Sequence, residues 1–316
     1  MIKNKKILIT GGGGFIGSHL IDSLVENNDI IVYDAFVRNA LQYGDAEKKV
    51  QIVKGDVLDS ALLDKHIADA DIVLHLAAIA GVTKVLSQPA KVLAVNLQGT
   101  QNAINSSLKH SVERFVMFST SEVYGANANN VKETDETHQG PVNELRWIYA
   151  SSKLIGEFMC QANFVEHKFP FISIRPFNVY GERQVGEGAI QTFIINALKN
   201  APLVINGEGT QVRSWCHVSD AVQLVNLALE SPKAIGNVFN MGNPEASVST
   251  KQLAELIIKT TNSDSKITYR KIDYPEVWMR IPNIDKAKML LGFKPKVTLE
   301  DGINRTSQWF EQNYIK

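Results

Sequence analysis

An apolar run, Ile7-Leu8-Ile9, passes through Thr10 into Gly11-Gly12-Gly13-Gly14 and on to Phe15-Ile16-Gly17. No other stretch narrows the possible folds so sharply. A short apolar run ending in glycine reads as a buried strand, and the residues from Ile16 to Glu26 have the periodicity of a helix. Gly11, Gly14 and Gly17 stand in a G-x-x-G-x-x-G spacing. In a strand–turn–helix unit the first such glycine permits a tight turn. The second lets backbone approach a pyrophosphate, and the third lets the helix pack closely on the strand. The free amides and positive dipole end of the helix then face the phosphates. Asp34 closes the next expected strand, roughly 20 residues on, where a carboxylate accepts the ribose hydroxyls of NAD and repels the 2′-phosphate of NADP. Arg38 reads as a solvated loop arginine. Asp56-Val57, after the third strand, is placed at the adenine end, with an ordinary capped turn as the alternative.

Short apolar runs continue to alternate with helical patterns. Strands are expected at Ile7–Thr10, Ile30–Asp34, Val50–Val53, Ile72–His75, Phe115–Ser119 and Phe171–Arg175. Helices are expected at Ile16–Glu26, Ser60–Ile67, Val92–Leu108 and Tyr149–Val165. This alternation predicts an α/β fold of Rossmann type, a doubly wound parallel sheet covered on both faces. After Pro176 the pattern loosens. Asn206-Gly207-Glu208-Gly209 reads as a hairpin turn. A helix at Ser219–Leu229 and a strand at Asn237–Asn240 return to the sheet, and a helix-rich lobe follows Val248. The expected division is a dinucleotide domain at 1–178 and 212–243, with a smaller C-terminal substrate lobe at 179–211 and 244–316. A chain of 316 residues with 44% hydrophobic content can bury two such associated domains.

Thirty-three basic residues balance 33 acidic ones, which gives no electrostatic basis for nucleic acid or an anionic membrane as partner. An anionic ligand must be held locally, by a few arginines and backbone amides. Cys160 and Cys216 are far apart with no C-x-x-C, so neither a disulfide framework nor a cysteine-ligated metal is expected. The N-terminus has no apolar signal region with a cleavage site, and no apolar run is long enough to span a bilayer, so a cytoplasmic protein is expected.

Two stretches carry the chemistry. Thr120-Ser121-Glu122 follows the apolar run Phe115-Val116-Met117-Phe118, which reads as a buried strand. Tyr149-Ala150-Ser151-Ser152-Lys153 puts a phenol and an ammonium on one face of a helix. A phenol acting as a base near neutrality must lose about 3 pKa units, or ~4 kcal/mol. An ammonium about 4 Å away supplies ~4 kcal/mol at an effective dielectric of ~20. Tyr149 is thus a candidate base for taking a proton from an alcohol during hydride transfer. Glu122 could take or shuttle a second proton, or merely cap the following turn.

Several stretches occur in a telling order: Thr10-Gly11 to Gly17, His75-Leu76-Ala77-Ala78, Asn96 to Thr100, Ser119 to Gly125, Tyr149 with Lys153, and Arg175-Pro176-Phe177-Asn178-Val179-Tyr180-Gly181. Together they resemble the extended short-chain dehydrogenase/reductases that modify nucleotide sugars. The resemblance covers nearly the whole chain. It implies a Rossmann domain for NAD, with Phe15, Ile16, Leu76 and Ala78 joining the glycines, Asp34, Asp56 and Val57 at the cofactor. It implies a lobe for a UDP-linked nucleotide sugar, and a homodimer formed through the helices at 92–108 and 149–165. Lys153 would hold the nicotinamide ribose and lower the Tyr149 pKa. Thr120 would hydrogen-bond the sugar 4-hydroxyl, and Asn178 and Arg213 would hold the diphosphate.

The shared reaction logic implied by this family is oxidation at C4, chemistry on the resulting 4-ketone, and return of the hydride, with no net redox. Ser121 stands where the 4,6-dehydratases resembling this segment carry an aspartate that expels the C6 hydroxyl, a task serine is too weak an acid to perform. Gly140 to Tyr149 resembles the segment before the tyrosine in UDP-glucuronate decarboxylases. Arg280, in Val277 to Asn283, aligns with an arginine at the C5–C6 end of the sugar in those enzymes. A UDP-hexuronate decarboxylase is therefore the leading expectation. Ala80-Gly81-Val82-Thr83 is closer to the epimerases, so a UDP-sugar 4-epimerase remains open, as does an NDP-hexose 4,6-dehydratase. A carbonyl reductase consuming NAD(P)H would need only the glycines, Tyr149 and Lys153. A dinucleotide-sensing regulator would not need Tyr149, Lys153 and Glu122 together.

Overall fold

The computed structural model describes residues 2–186, 188–271 and 277–315. Its strands are β1 (Lys6–Thr10), β2 (Asp29–Asp34), β3 (Gln51–Lys54), β4 (Ile72–His75), β5 (Arg114–Phe118), β6 (Asn127–Val131), β7 (Phe171–Pro176), β8 (Val179–Tyr180), β9 (Leu203–Asn206), β10 (Val212–Ser214), β11 (Cys216–His217), β12 (Asn237–Met241), β13 (Ser247–Ser249), β14 (Ile267–Arg270) and β15 (Met279–Pro282). The helices are α1 (Phe15–Leu24), α2 (Ser60–Ile67), α3 (Val82–Ser87), α4 (Pro89–Leu93), α5 (Gly99–Lys109), α6 (Ile148–His167), α7 (Ala189–Leu198), α8 (Val218–Glu230), α9 (Thr250–Thr260), α10 (Asp285–Leu291) and α11 (Leu299–Asn313).

Seven strands form a parallel sheet in the order β12-β7-β5-β4-β1-β2-β3, as the alternating pattern predicts. Ile7, Leu8 and Ile9 are fully buried because both faces are covered. Successive side chains leave a strand on opposite faces. Ile7 and Ile9 therefore enter one core with Leu20 and Ile21 of α1 and Leu224 of α8, while Leu8 enters the other with Leu63 of α2 and Ile104 of α5. The chain order reverses between β1 and β4, which opens a crevice at their carboxyl ends. A third core, with Ile194 of α7, Leu253 of α9 and Ile303 of α11, belongs to the smaller lobe.

Three local expectations are corrected. Asn206 to Gly209 does turn the chain, but not into a hairpin: β9 pairs with β14 and β10 pairs with β13 and β15. The single helix expected at Val92–Leu108 begins at Pro89 and is widened by a π-type turn at Ala94–Gln98. The widening turns buried Asn96 toward its neighbours: its Oδ1 accepts from Ile79 N at 2.9 Å and its Nδ2 donates to Ser152 Oγ at 3.1 Å. Ser152 Oγ in turn donates to the Tyr149 carbonyl at 2.7 Å, so the widened turn helps set the start of α6. Finally, α10 falls within 244–316 yet buries Ile284, Ala287 and Leu291 in the core of the large sheet. An apolar helical face goes wherever it removes most surface from water, regardless of its place in the chain.

Among the described residues, no helix is long and apolar enough to cross a membrane.

Candidate functional site

The crevice at β1 and β4 holds two adjoining cavities of about 360 and 380 Å³, which share Gly11, Gly14, Phe15, Leu76 and Ala78. One half contains Asp34, Asp56 and Val57. The other contains Ile16, Gly17, Thr120, Ser121, Glu122, Tyr149, Lys153, Asn178 and Arg280. Among the sequence-predicted site residues, only Arg213 lines neither half.

Backbone geometry explains the glycines. Gly11 has φ +72°, and a Cβ there would stand 2.7 Å from Ala77 N; a Cβ on Gly17 would stand 2.7 Å from the Gly11 carbonyl oxygen. Both obstacles are backbone, which cannot swing aside. Gly17→Ala is therefore expected to cost about 1–3 kcal/mol in overpacking. It should yield protein with a lower Tm and little cofactor absorbance after purification; native absorbance and Tm would refute this account of the turn. Beneath the turn, His75 bridges Thr10 Oγ1 (2.8 Å) and Thr100 Oγ1 (3.1 Å). Thr100 spends its own proton on the Asn96 carbonyl at 2.6 Å, so His75 donates from Nε2 and accepts at Nδ1. Burial pushes the His75 pKa down to about 3, which keeps the ring neutral for this bridging role.

Asp34 accepts from the amides of Gly13 at 2.9 Å and Phe36 at 2.7 Å. Its carboxylate is thus oriented at the cavity wall, although burial raises its pKa above the usual carboxylate value. Asp56 does cap a turn, accepting from Leu58 N at 3.0 Å, and it also lines the cavity. The crevice fits NAD: Asp34 is placed for a ribose, the glycine turn meets α1, and Ser119 Oγ and Asn178 Oδ1 are buried without a protein partner in the catalytic half.

In that half, Thr120 caps the short turn Ser121–Tyr124 and brings Glu122 to the cavity. Tyr149 is half-buried on α6, one turn before Lys153. Lys153 is 2% exposed and donates to the Phe118 carbonyl at 2.8 Å. Arg280 arrives from β15, 5% exposed, and its Nη1 lies 3.3 Å from Glu122 Oε1 while Nη2 donates to the Gly125 carbonyl at 3.3 Å.

The electrostatics depart from expectation. Burial, together with the Glu122 carboxylate, raises the Tyr149 phenol above its usual value, and a hydrogen bond from Thr120 pulls the other way. Burial also lowers Lys153 to about 8. Desolvation thus outweighs the attraction that the spacing on the helix suggests. Arg213 sits beside Arg280 in register, on β10, and donates to the carbonyls of Val212 (2.9 Å) and Val277 (2.7 Å). A diphosphate contact from Arg213 is therefore not preformed.

Sequence reasoning gave no role to Ser119, a strand end and the start of a motif, and passed over Lys84, Gln88 and Lys91, which reach the Asp34 half from α3, α4 and the residue between them. The one available signal was position, since all four follow the carboxyl end of a parallel strand.

The chain shares 33% identity, over 98% of its length and 98% of the relative's, with the UDP-N-acetyl-alpha-D-glucosaminuronate decarboxylase of Bacillus cytotoxicus. It is 35% identical to the dTDP-D-glucose 4,6-dehydratase of Mus musculus, over 98% of this chain and 90% of that protein. The solved UDP-glucuronic acid 4-epimerase of Bacillus cereus, in complex with UDP-glucuronic acid and NAD, superposes with TM-score 0.90 at 30% identity, covering 98% of this chain and all of that one. The family model for NAD dependent epimerases and dehydratases matches residues 7–242, the stretch that supplies the glycine turn, Asp34, Thr120 to Glu122, Tyr149 and Lys153. With that match and a crevice shaped for the dinucleotide, the chain belongs to the NAD dependent epimerase/dehydratase family.

Proposed function

We propose that this protein oxidises C4 of a UDP-linked hexuronate and releases CO₂ from C5. The carrying observation is the buried guanidinium of Arg280, paired with Glu122 inside the cavity that holds Thr120, Tyr149 and Lys153. A neutral hexose offers a buried arginine only hydroxyl oxygens, whereas a carboxylate at C6 matches its charge and its planar fork. The glycine turn and Asp34 would hold NAD, which would supply hydride transfer from and back to the sugar. Thr120 orients the 4-hydroxyl and Tyr149 takes its proton, leaving a ketone β to the carboxylate. Arg280 directs that carboxylate, and loss of CO₂ leaves an enolate at C5. Glu122 and Ser121 stand where a proton must be delivered to that carbon. Asn178 holds the diphosphate, and Arg213 joins it if its fork leaves the two carbonyls. The functional unit is a homodimer, in which exposed Ile155, Phe158 and Val165 of α6 are covered.

A second reading, 4-epimerisation of the same hexuronate, is favoured by Ala80 to Thr83. It keeps the role of Arg280 and omits the loss of CO₂. Mass spectrometry after incubation with UDP-glucuronate separates the two. A product lighter by CO₂, with no build-up of reduced nicotinamide, is expected. An isomer of unchanged mass would establish the second reading, and water loss from dTDP-glucose with no reaction of UDP-glucuronate would overturn both.

A further inference from the structure

We propose that Arg175, Glu157 and Tyr124 are positioning residues that hold α6, the carrier of Tyr149 and Lys153, at a set distance from the turn carrying Thr120, Ser121 and Glu122. None of the three lines the cleft, and all are buried, with exposures of 4%, 6% and 2%. Arg175, near the end of β7, forks onto Glu157 through Nε (2.9 Å) and Nη2 (2.6 Å). Its Nη1 donates to the Tyr124 phenol oxygen at 2.7 Å, and its guanidinium lies 4.8 Å from the centre of that ring. The phenol passes its own proton to Asn240 Oδ1 at 2.8 Å. Asn240 Nδ2 then donates to the carbonyls of Val131 (2.9 Å) and Asn283 (3.0 Å). Those two residues end β6 and follow β15, the strand of Arg280. One buried guanidinium therefore ties together every element that brings a catalytic group to the cleft.

A buried ion pair is a poor route to stability, because apolar residues of similar volume often serve as well or better. What an apolar pair cannot do is fix direction. A planar fork against a carboxylate, with a phenol oxygen at the third corner, defines angles as well as distances. Glu157 lies one helical turn beyond Lys153 and two beyond Tyr149, and Tyr124 closes the turn that contains Glu122. The brace therefore joins the helix that carries Tyr149 to the turn that follows Thr120. The groups acting on Tyr149 are Thr120 and Glu122, and Lys153 from α6 and Arg280 from β15 line the same cavity. Slippage between turn and helix would weaken the Thr120 hydrogen bond and leave the phenol harder to ionise.

The inference rests on the proposed role of Tyr149 but not on the identity of the sugar. Tyr124→Phe removes a single oxygen, and Arg175→Met with Glu157→Leu replaces the ion pair by apolar volume. Two measurements apply to both on the NAD-bound protein. The first is ultraviolet difference titration of Tyr149 against the matching Tyr149→Phe protein, which needs no substrate. The second is turnover of UDP-glucuronate or UDP-glucose, whichever the wild type converts. Both variants should keep native NAD content and melt within a few degrees of wild type, with KM changed less than about threefold. A misplacement of order 1 Å is expected to lower kcat about tenfold in Tyr124→Phe and about 100-fold in the double variant. The Tyr149 midpoint should rise by roughly half to one pH unit. An unmoved midpoint in Tyr124→Phe overturns the inference, as does a fall in kcat that merely follows loss of NAD and Tm. If the wild type converts neither sugar nucleotide, the proposed function fails while the titration still decides the brace.

Discussion

Tyr149→Phe is expected to lower kcat by about 10³-fold, or ~4 kcal/mol of barrier, while NAD stays bound and Tm hardly changes. The substitution removes one oxygen and its contact with Thr120, and leaves the ring packed at the cavity wall. The loss should appear in kcat and kcat/KM together, because the proton is transferred only in the transition state. A wild-type pH profile checks the same assignment. The phenol must ionise to act, and burial and Glu122 hold it above its usual value, so kcat should climb with pH on the acidic side. Lys153, pushed down to about 8, carries its charge below that pH and loses it above, so the climb should level off there. Retention of kcat within tenfold in Tyr149→Phe would remove the phenol from the mechanism.

Arg280→Gln should have the second largest effect, and its selectivity is the informative part. Removing a charge-assisted fork costs about 3 kcal/mol, which predicts a roughly 100-fold loss in kcat/KM toward UDP-glucuronate. Binding of UDP itself should be almost unchanged, since Arg280 pairs with Glu122 and the diphosphate is assigned to Asn178 and Arg213. Folding should survive, because the partner left behind, Glu122, has a side chain 24% exposed and can reach water, and glutamine can still donate to the Gly125 carbonyl. Steady-state kinetics beside UDP affinity measured by calorimetry would check it. Equal losses for UDP and UDP-glucuronate would assign Arg280 to the diphosphate instead of the sugar carboxylate.

The glycine turn, the parallel sheet and the placement of Tyr149 one helical turn before Lys153 were legible in the sequence because each is written in consecutive residues. Glycine spacing, strand-length apolar runs and a four-residue helical step depend on local backbone geometry. Where tertiary packing intervened, local reading lost its hold. Asn206 to Gly209 has the composition of a hairpin, yet its flanking strands found partners in different sheets. The widened turn at Asn96 exists for a contact with Ser152, 56 residues away. Charge state was hidden as well: the Tyr149–Lys153 spacing promised attraction, but burial, a property of the assembled core, decided the direction of both pKa values. The approach of Arg280 to Glu122 spans 158 residues and depends on β15 packing beside β6, while Arg213, equally basic and in register beside it, was turned onto backbone carbonyls. Sequence by itself thus determined which elements form and the chemical vocabulary of the site. Only the pairing of β15 with β6 and β10 decided which arginine meets Glu122, because a distant contact is selected by the burial it completes and not by any pattern along the chain.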